Sequence, residues 1–253
     1  MFNLKEKRRE LARKLIGNRF DLAYYYCKGT GIEVGAMSSP YKGFSSATSI
    51  KYADIFSSSE LRDIISSLDV DGMYSKDIVN TDILLKAPKH SLFDAITEQV
   101  NFVYSSNVFE HHPNPIFCLI DQIKCISTGV VYLVIPNKNY TYDKHRSLTS
   151  IDKLIDKYER DVFSHTIDEA MDVIVGTDKH PVYDLYKTDP QRYSRDMIEK
   201  KEGIHHYYTY DLSNMLALID YVQQKVDFKI SYISAEDSCC LLYTSPSPRD
   251  GNV

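Results

Sequence analysis

The sequence predicts an α/β protein with a mostly parallel sheet that carries helices on both faces. Short apolar runs alternate with helical stretches, and strands separated by helices pair in parallel through right-handed crossovers. Several runs are rich in Val, Ile and Tyr without alternating, which is typical of strands covered on both faces. The predicted strands of the first half are 30–34, 49–54, 73–79, 101–105 and 130–135.

Helical patterns fill the intervals between these strands, at 61–68, 92–96 and 116–126. A basic amphipathic helix over 1–16 precedes them. A solvated helix packed on the domain is the interpretation we favour for it, with contact to an acidic membrane or partner as the alternative. The segment 17–136 is then the core that carries the main site.

The segment 137–203 interrupts this pattern with Tyr-rich, charged sequence and helical pieces at 151–160 and 167–175. It is too long for a plain connection inside a compact domain, so we expect a lid or substrate-side insertion. The segment 204–238 completes the core sheet with an ordered run at 204–210, a helix at 212–226 and a strand at 228–233.

Composition excludes several classes of protein. The chain has 253 residues, 43% of them hydrophobic, and 30 Lys+Arg against 35 Asp+Glu give a net charge of −5. No basic stripe is available for a phosphate backbone, so nucleic acid is not an expected partner. The longest apolar run is far shorter than the roughly 20 residues that span a bilayer. Five cysteines without a pairing pattern favour a reducing, cytoplasmic location.

The strongest local signal is the turn Gly-Ile-Glu-Val-Gly-Ala-Met-Ser-Ser-Pro at 31–40. Gly35 lets the backbone pass close to a ligand, and Glu33 can accept hydrogen bonds from an ammonium group. A dinucleotide site prefers Gly-x-Gly-x-x-Gly, but Met37 stands where the second glycine would lie, which disfavours NAD or FAD. A tight structural turn is the alternative.

Further polar segments end the neighbouring strands. Asp54 closes the second apolar run, where an acidic side chain can accept both hydroxyls of a ribose. The segments 103–115 and 131–137 also end strands. With the turn at 31–40, four polar segments thus end strands. Because ligands of open parallel sheets bind at the carboxyl ends of the strands, these four segments predict one binding site at that edge of the sheet.

Taken in order, these segments resemble class I S-adenosylmethionine-dependent methyltransferases, which have a Rossmann-like sheet. Three motifs carry the resemblance: Gly-Ile-Glu-x-Gly-Ala-x-x-Ser-Pro at 31–40, Ser-x-x-x-Glu-His-x-x-x-Pro at 106–115, and Tyr-Thr-x-Asp-x-x-Arg-x-x-Thr at 140–149. The likeness covers roughly residues 15–233, and the subgroup resembles glycan-associated methyltransferases. It implies S-adenosyl-L-methionine as cofactor and a small-molecule or glycan-type substrate.

The resemblance also implies roles for individual residues. Asp54 would hold the ribose, and Asp82, in the loop after the third strand, would face the adenine amine, with Asn80 and Thr81 as competitors. The residues implied to bind the cofactor are Glu33, Gly35, Ala36, Asp54, Asp82, Asn107 and Glu110.

An oxygen acceptor would also need a base, and histidine is the usual choice. His111 ranks first as catalytic residue and His145 second, with a structural or surface histidine as the alternative for each. Asp143, Arg146 and His206 are the predicted substrate-binding residues, although a salt-bridged lid anchor is an equal interpretation of Arg146. Since consecutive strand residues face opposite ways, at most one histidine of the 205–206 pair can reach the site, and we predict no metal site.

Two other functions remain open on the sequence alone. One is an enzyme that binds NAD or a nucleotide sugar on a similar sheet, and the other is a catalytically silent, methyltransferase-like binding subunit. The sequence does not predict an oligomeric state.

The last residues, 239–253, resemble a translated sequencing-library adapter, because Cys-Leu-Leu-Tyr-Thr-Ser-Pro-Ser-Pro-Arg-Asp at 240–250 can be encoded by adapter codons. We therefore exclude them from the fold, with a natural Ser/Pro linker as the alternative. The sheet of the family that the chain resembles ends in a hairpin whose last strand inserts between the fifth and sixth. On this interpretation that strand is missing, and the slot beside it exposes unpaired strand edges.

Overall fold

A computed structural model of the chain describes residues 19–46, 48–68, 78–200, 205–236 and 239–246. The predicted helix over 1–16 lies outside the described residues, as does most of the strand predicted at 73–79. No described helix has the length and hydropathy needed to cross a membrane.

Seven strands form one sheet in the order β3-β2-β1-β4-β5-β7-β6. Strands β1 to β5 pair in parallel, and β7 lies antiparallel between β5 and β6. The predicted α/β class with a mostly parallel sheet is therefore confirmed. The strands are β1 Thr30–Val34, β2 Ser49–Asp54, β3 Ile83–Leu84, β4 Val100–Ser106, β5 Ile126–Pro136, β6 Phe228–Glu236 and β7 Cys239–Pro246.

Eight helices are described alongside the sheet, and two of them begin with a capping box, in which the cap side chain and the third helical residue satisfy each other's backbone. They are α1 Arg19–Tyr26, α2 Ser58–Leu68, α3 Pro115–Lys124, α4 Ile151–Glu159, α5 Ile167–Gly176, α6 Pro181–Tyr186, α7 Pro190–Glu199 and α8 Leu212–Gln223.

Aromatic side chains fill the core on one face of the sheet. The Tyr104 ring stacks against Tyr132 at 5.5 Å and against Tyr41 at 5.2 Å, measured between ring centroids. Ala23 and Cys27, on α1 and just after it, are fully buried in the same cluster. Helix α1 therefore covers this face.

Aliphatic side chains fill the core on the other face, where helices α3 to α8 pack. Leu154 and Val173, from the predicted lid, are buried in one cluster with Val131 and Leu133 of β5. The predicted insertion thus contributes four helices, α4 to α7, to the main core. Helices lie on both faces, as predicted.

Two predicted strands differ from the structure. The third strand is Ile83–Leu84, so Asp82 precedes it instead of following it. The run at 205–210 forms one described bridge, from Tyr210 to Asn137. Several of its other backbone groups bond outside a strand ladder: Arg146 donates to the carbonyl of Tyr207, and the Thr149 hydroxyl accepts the N–H of Thr209.

The prediction of a missing last strand is wrong. Residues 239–246 form β7, which pairs with β5 from Val131↔Thr244 to Pro136↔Cys239 and with β6 from Phe228↔Pro246 to Glu236↔Cys239. The physical reason is that Cys-Cys-Leu-Leu-Tyr-Thr has high β-propensity and follows β6 closely enough to close a hairpin. Whether the tail is adapter-derived stays a prediction.

Substituting Leu242→Pro tests whether β7 carries the sheet. Both neighbours of β7 are strands, so a proline there removes a ladder hydrogen bond, and we expect the free energy of unfolding to fall by about 3 kcal/mol or more. Urea denaturation followed by circular dichroism measures the change. A chain ending at residue 246 is the control, since it keeps every β7 pair. A Leu242→Pro protein as stable as this control would contradict the observed pairing.

Candidate functional site

The turn after β1 contains two residues with left-handed backbone conformations. Gly35 has φ +68° and Met37 has φ +46°, so both lie in the left-handed region. A Cβ at Gly35 would lie 2.5 Å from Cγ2 of Val108, which leaves no room for a side chain. Met37 therefore has a positive φ, which is the conformation that glycine adopts most readily, at the position of the second glycine in Gly-x-Gly-x-x-Gly.

Glu33 is a buried carboxylate that is only half satisfied. It is the fourth of the five residues of β1, and it is 3% exposed. The backbone N–H of Tyr41 donates to Oε1 at 2.9 Å, whereas Oε2 has no hydrogen-bond partner in the part of the chain that the structure describes. Burial raises the pKa of Glu33 to about 7, and the Tyr41 hydrogen bond opposes this only in part.

Asp54 lies on the neighbouring strand and on the same side of the sheet. Glu33 pairs with Tyr52, so Asp54, two residues further along β2, lies on the Glu33 face. The N–H of Phe56 donates to its Oδ1 at 3.0 Å. Burial raises the pKa of Asp54 to about 6, against the hydrogen bonds from Phe56 and Ile55. The two predicted acids thus stand at adjacent strand ends.

The other predicted cofactor residues have different surroundings. Ala36 is buried, and its carbonyl accepts the N–H of Ser39. Asn107 is exposed at the end of β4 with φ +53°. Asp82 needs a correction, because its Oδ2 accepts the N–H of Tyr52 at 2.8 Å in the middle of β2, as expected for a residue that precedes β3. Its predicted contact with the adenine amine stays a prediction.

A second group of polar side chains meets after β4. Glu110 and His111 lie in the short 3-10 turn Phe109–His111, and Glu110 is fully buried. Nε2 of His111 and Nε2 of His206 each lie 3.6 Å from Oε1 of Glu110. His206 therefore joins the site, whereas His205 turns its Nδ1 to the Tyr183 hydroxyl at 2.8 Å. One histidine of the pair thus faces Glu110 and the other faces Tyr183.

Asp143 positions His206. Its Oδ2 lies 2.7 Å from Nδ1 of His206, and its Oδ1 accepts a hydrogen bond from Nη1 of Arg146 at 2.7 Å. Burial alone would raise the pKa of Asp143, but the hydrogen bond from His206 and the Arg146 charge outweigh it and lower the pKa. Asp143 is therefore an ionised acceptor already occupied by protein groups.

Arg146 has the contacts of a salt-bridged lid anchor, which is the alternative interpretation of this residue. Its five N–H donors make five hydrogen bonds: two to Asp172 of α5, one to Asp143, and one each to the carbonyls of His206 and Tyr207. No donor is left over for a substrate. The predicted substrate-binding role is thus not supported by this geometry.

The two predicted catalytic histidines are placed differently. His145 is on the surface, with a side chain 62% exposed and its Nε2 3.5 Å from Asp178. His111 is in the site, but burial and the neighbouring His206 lower its pKa to about 3. Because a general base works best with a pKa near the operating pH, His111 is poorly matched to that role.

Several residues of this region escape sequence reasoning. The ring of Tyr142 stacks on His206 at 4.8 Å, and the carbonyl of His205 lies 2.8 Å from Nδ1 of His111. Beside them, the buried ammonium of Lys157 binds both oxygens of Glu169 at 2.9 Å and the Tyr208 hydroxyl at 2.6 Å. These contacts join positions 12 to 94 residues apart, which no local pattern reveals.

Comparisons with known proteins give a distant likeness. No protein-family model and no curated protein sequence matches the chain. One similar structure is the N-terminal domain of EvdMO1 with SAH bound, at 14% identity and TM-score 0.44 over 92% of this chain and 82% of that one. Magnesium protoporphyrin IX methyltransferase from Synechocystis PCC 6803 with bound SAH has 10% identity and TM-score 0.42 over 98% and 89%. A structure described as a zinc-dependent alcohol dehydrogenase from Rhodobacter sphaeroides has 14% identity and TM-score 0.46 over 98% and 100%. Similarity this distant gives no information on activity.

Replacing Arg146 by lysine tests the anchor. A lysine keeps the charge but cannot form the five-donor fork, so buried acceptors lose partners, and we expect the free energy of unfolding to fall by about 2–4 kcal/mol. Arg192→Lys is the matched control, because Arg192 is 69% exposed on α7 and should change stability by less than about 0.5 kcal/mol. Chemical denaturation measures both. Equal stability of the two variants would show that Arg146 is not an anchor.

The raised pKa of Glu33 predicts a pH-dependent stability difference. Between its unfolded pKa near 4.5 and its folded pKa of about 7, the folded state binds more protons, so this contribution to stability is lost as pH rises through that window. Glu33→Gln removes the titration. When the pH rises from 5 to 8, the free energy of unfolding of the variant, relative to that of the wild type, should increase by on the order of 1–3 kcal/mol. Urea denaturation at both pH values measures this, and a constant difference would contradict it. Asp63→Asn, which removes an exposed carboxylate from α2, is the matched control.

Proposed function

We propose that the chain is an S-adenosylmethionine-dependent methyltransferase that acts on a small or glycan-type acceptor. The observation that carries this proposal is the half-satisfied carboxylate of Glu33, buried beside the left-handed Gly35 turn with Asp54 at the next strand end. The sheet order supports it, since β1 and β4 flank the point where the chain reverses direction across the sheet, which is where open α/β sheets bind ligands.

The residues present fit the cofactor. A buried carboxylate oxygen without a partner is costly, and an α-ammonium group at Oε2 of Glu33 would supply a charge-assisted hydrogen bond. Asp54 offers its second oxygen to ribose hydroxyls. Gly35, whose missing side chain lets Val108 pack against the turn, stands between Glu33 and the next strand end in the sequence.

When bound, S-adenosylmethionine supplies an already activated methyl group, so the chain has to bind, orient and exclude water. Glu33 and Asp54 would fix the two ends of the cofactor. The fully buried Glu110 and the adjoining His111 and His206 lie beyond the end of β4, the strand beside β1, and would line the acceptor side. Asp143 and Arg146 hold His206 in place there.

Calorimetric titration with S-adenosylhomocysteine tests the site. We expect the wild-type chain to bind it, and Glu33→Gln and Asp54→Asn each to weaken binding by about tenfold or more, because each removes a charged hydrogen-bond acceptor. The control Asp63→Asn should bind like the wild type.

The same titration separates the rival functions. Binding of NADH without binding of S-adenosylhomocysteine would identify a nucleotide-dependent enzyme on a similar sheet instead. A chain that binds neither compound would fit a silent, methyltransferase-like subunit. Binding of S-adenosylhomocysteine that neither substitution weakens would show that the cofactor lies elsewhere.

A further inference from the structure

Three side chains present metal-ligand atoms to one another after β4. The carboxylate of Glu110 and the Nε2 atoms of His111 and His206 all lie within 4.8 Å of one another. Each Nε2 is 3.6 Å from Oε1 of Glu110, which is too far for a direct hydrogen bond. An ion about 2.0–2.2 Å from each ligand atom separates neighbouring ligands by about 2.9–3.6 Å, so the two distances from Glu110 to the imidazoles suit an ion between them.

The outer hydrogen bonds fix which atoms carry protons. Nδ1 of His111 lies 2.8 Å from the carbonyl oxygen of His205, and Nδ1 of His206 lies 2.7 Å from the carboxylate of Asp143. The carbonyl and the ionised carboxylate can only accept, so each Nδ1 carries a proton, and each ring turns its Nε2 towards Glu110. Metal-binding histidines are typically oriented in this way by a carbonyl or a carboxylate.

Glu110 supplies an independent observation. The residue has no exposed surface, and neither Oε1 nor Oε2 has a hydrogen-bond partner within the described chain. A carboxylate buried without partners is unfavourable unless it takes up a proton or a positive charge lies beside it. Arg146 does not provide that charge, because its five donors are directed at Asp143, Asp172 and two backbone carbonyls.

We propose that Glu110, His111 and His206 bind one divalent transition-metal ion, with Asp143 and the carbonyl of His205 as the outer groups that orient the two imidazoles. Two imidazoles and one carboxylate match Zn²⁺, Fe²⁺ or Co²⁺ better than Mg²⁺ or Ca²⁺, which prefer oxygen ligands. This proposal departs from the expectation, drawn from the sequence, of no metal site.

Three protein ligands leave coordination positions open. If the proposed function holds, a hydroxyl oxygen of the acceptor binds at one of these open positions. The acceptor then lies beside the ends of β1 and β4. The substrate class is then a hydroxylated small molecule, and vicinal hydroxyls, as in a sugar, would occupy two positions.

The experiment uses the full chain, freed of metal by chelator and dialysed against Co²⁺ without any cofactor. We expect one ion per chain, measured by mass spectrometry, with a visible absorption spectrum free of thiolate bands. Glu110→Gln and His206→Gln should each lower the affinity by about 100-fold or more, and Asp143→Asn by about 10–100-fold. Millimolar Mg²⁺ should not displace the ion.

His145→Gln is the matched control, because His145 is a surface histidine paired with Asp178. The His145→Gln protein should bind Co²⁺ with the affinity of the wild type. Circular dichroism checks that each variant is folded. If a histidine variant does not fold, the isosteric Glu110→Gln variant still tests the proposal. Each of three results would overturn the proposal: the chain binds no Co²⁺, the spectrum shows thiolate absorption, or Glu110→Gln leaves the affinity for Co²⁺ unchanged. Titration with S-adenosylhomocysteine is a separate test. A wild-type chain that binds Co²⁺ but not S-adenosylhomocysteine would refute the proposed function without contradicting the metal site.

Discussion

The guanidinium of Arg146 is the group on which the geometry of the site depends. It joins three parts of the chain that are far apart in sequence: Asp143 after β5, Asp172 on α5, and the carbonyls of His206 and Tyr207 before α8. Each bond uses a donor that burial would otherwise leave unsatisfied. Because the same contacts fix Asp143 and the backbone at His206, the imidazole of His206 has little freedom to turn away from Glu110.

This well-satisfied anchor contrasts with the acids near it. Glu33 keeps one oxygen and Glu110 both oxygens without a partner in the described chain, although both residues are buried. Folding alone gains nothing from such groups, and their raised pKa values reflect the cost of charging them there. Perturbed pKa values of this kind cluster at functional sites, so two separate unsatisfied acids at one edge of the sheet fit the two occupants that we propose.

Local sequence was enough to predict part of this arrangement. β1 and β2 have the predicted bounds, and Glu33 and Asp54 stand at their ends as expected, because strand alternation and a glycine turn act over a few residues. Arg146 and Asp143 are different, since their roles depend on partners up to 63 residues away that no periodicity identifies. Asp82 was misplaced because two residues suffice for β3, too short a run to produce a hydrophobic pattern.

The last strand shows the limit of an argument from the origin of a sequence. A β-prone run next to an open slot between two strands finds all its backbone hydrogen bonds there, whatever the history of its codons. The same edge of the sheet explains why the two candidate sites adjoin. Val34 of β1 pairs with Ser105 of β4, so the turns that follow, carrying Gly35 and Glu110, leave the sheet side by side. A ligand held by Glu33 and an acceptor held at Glu110 would therefore meet at the point where the chain changes direction across the sheet.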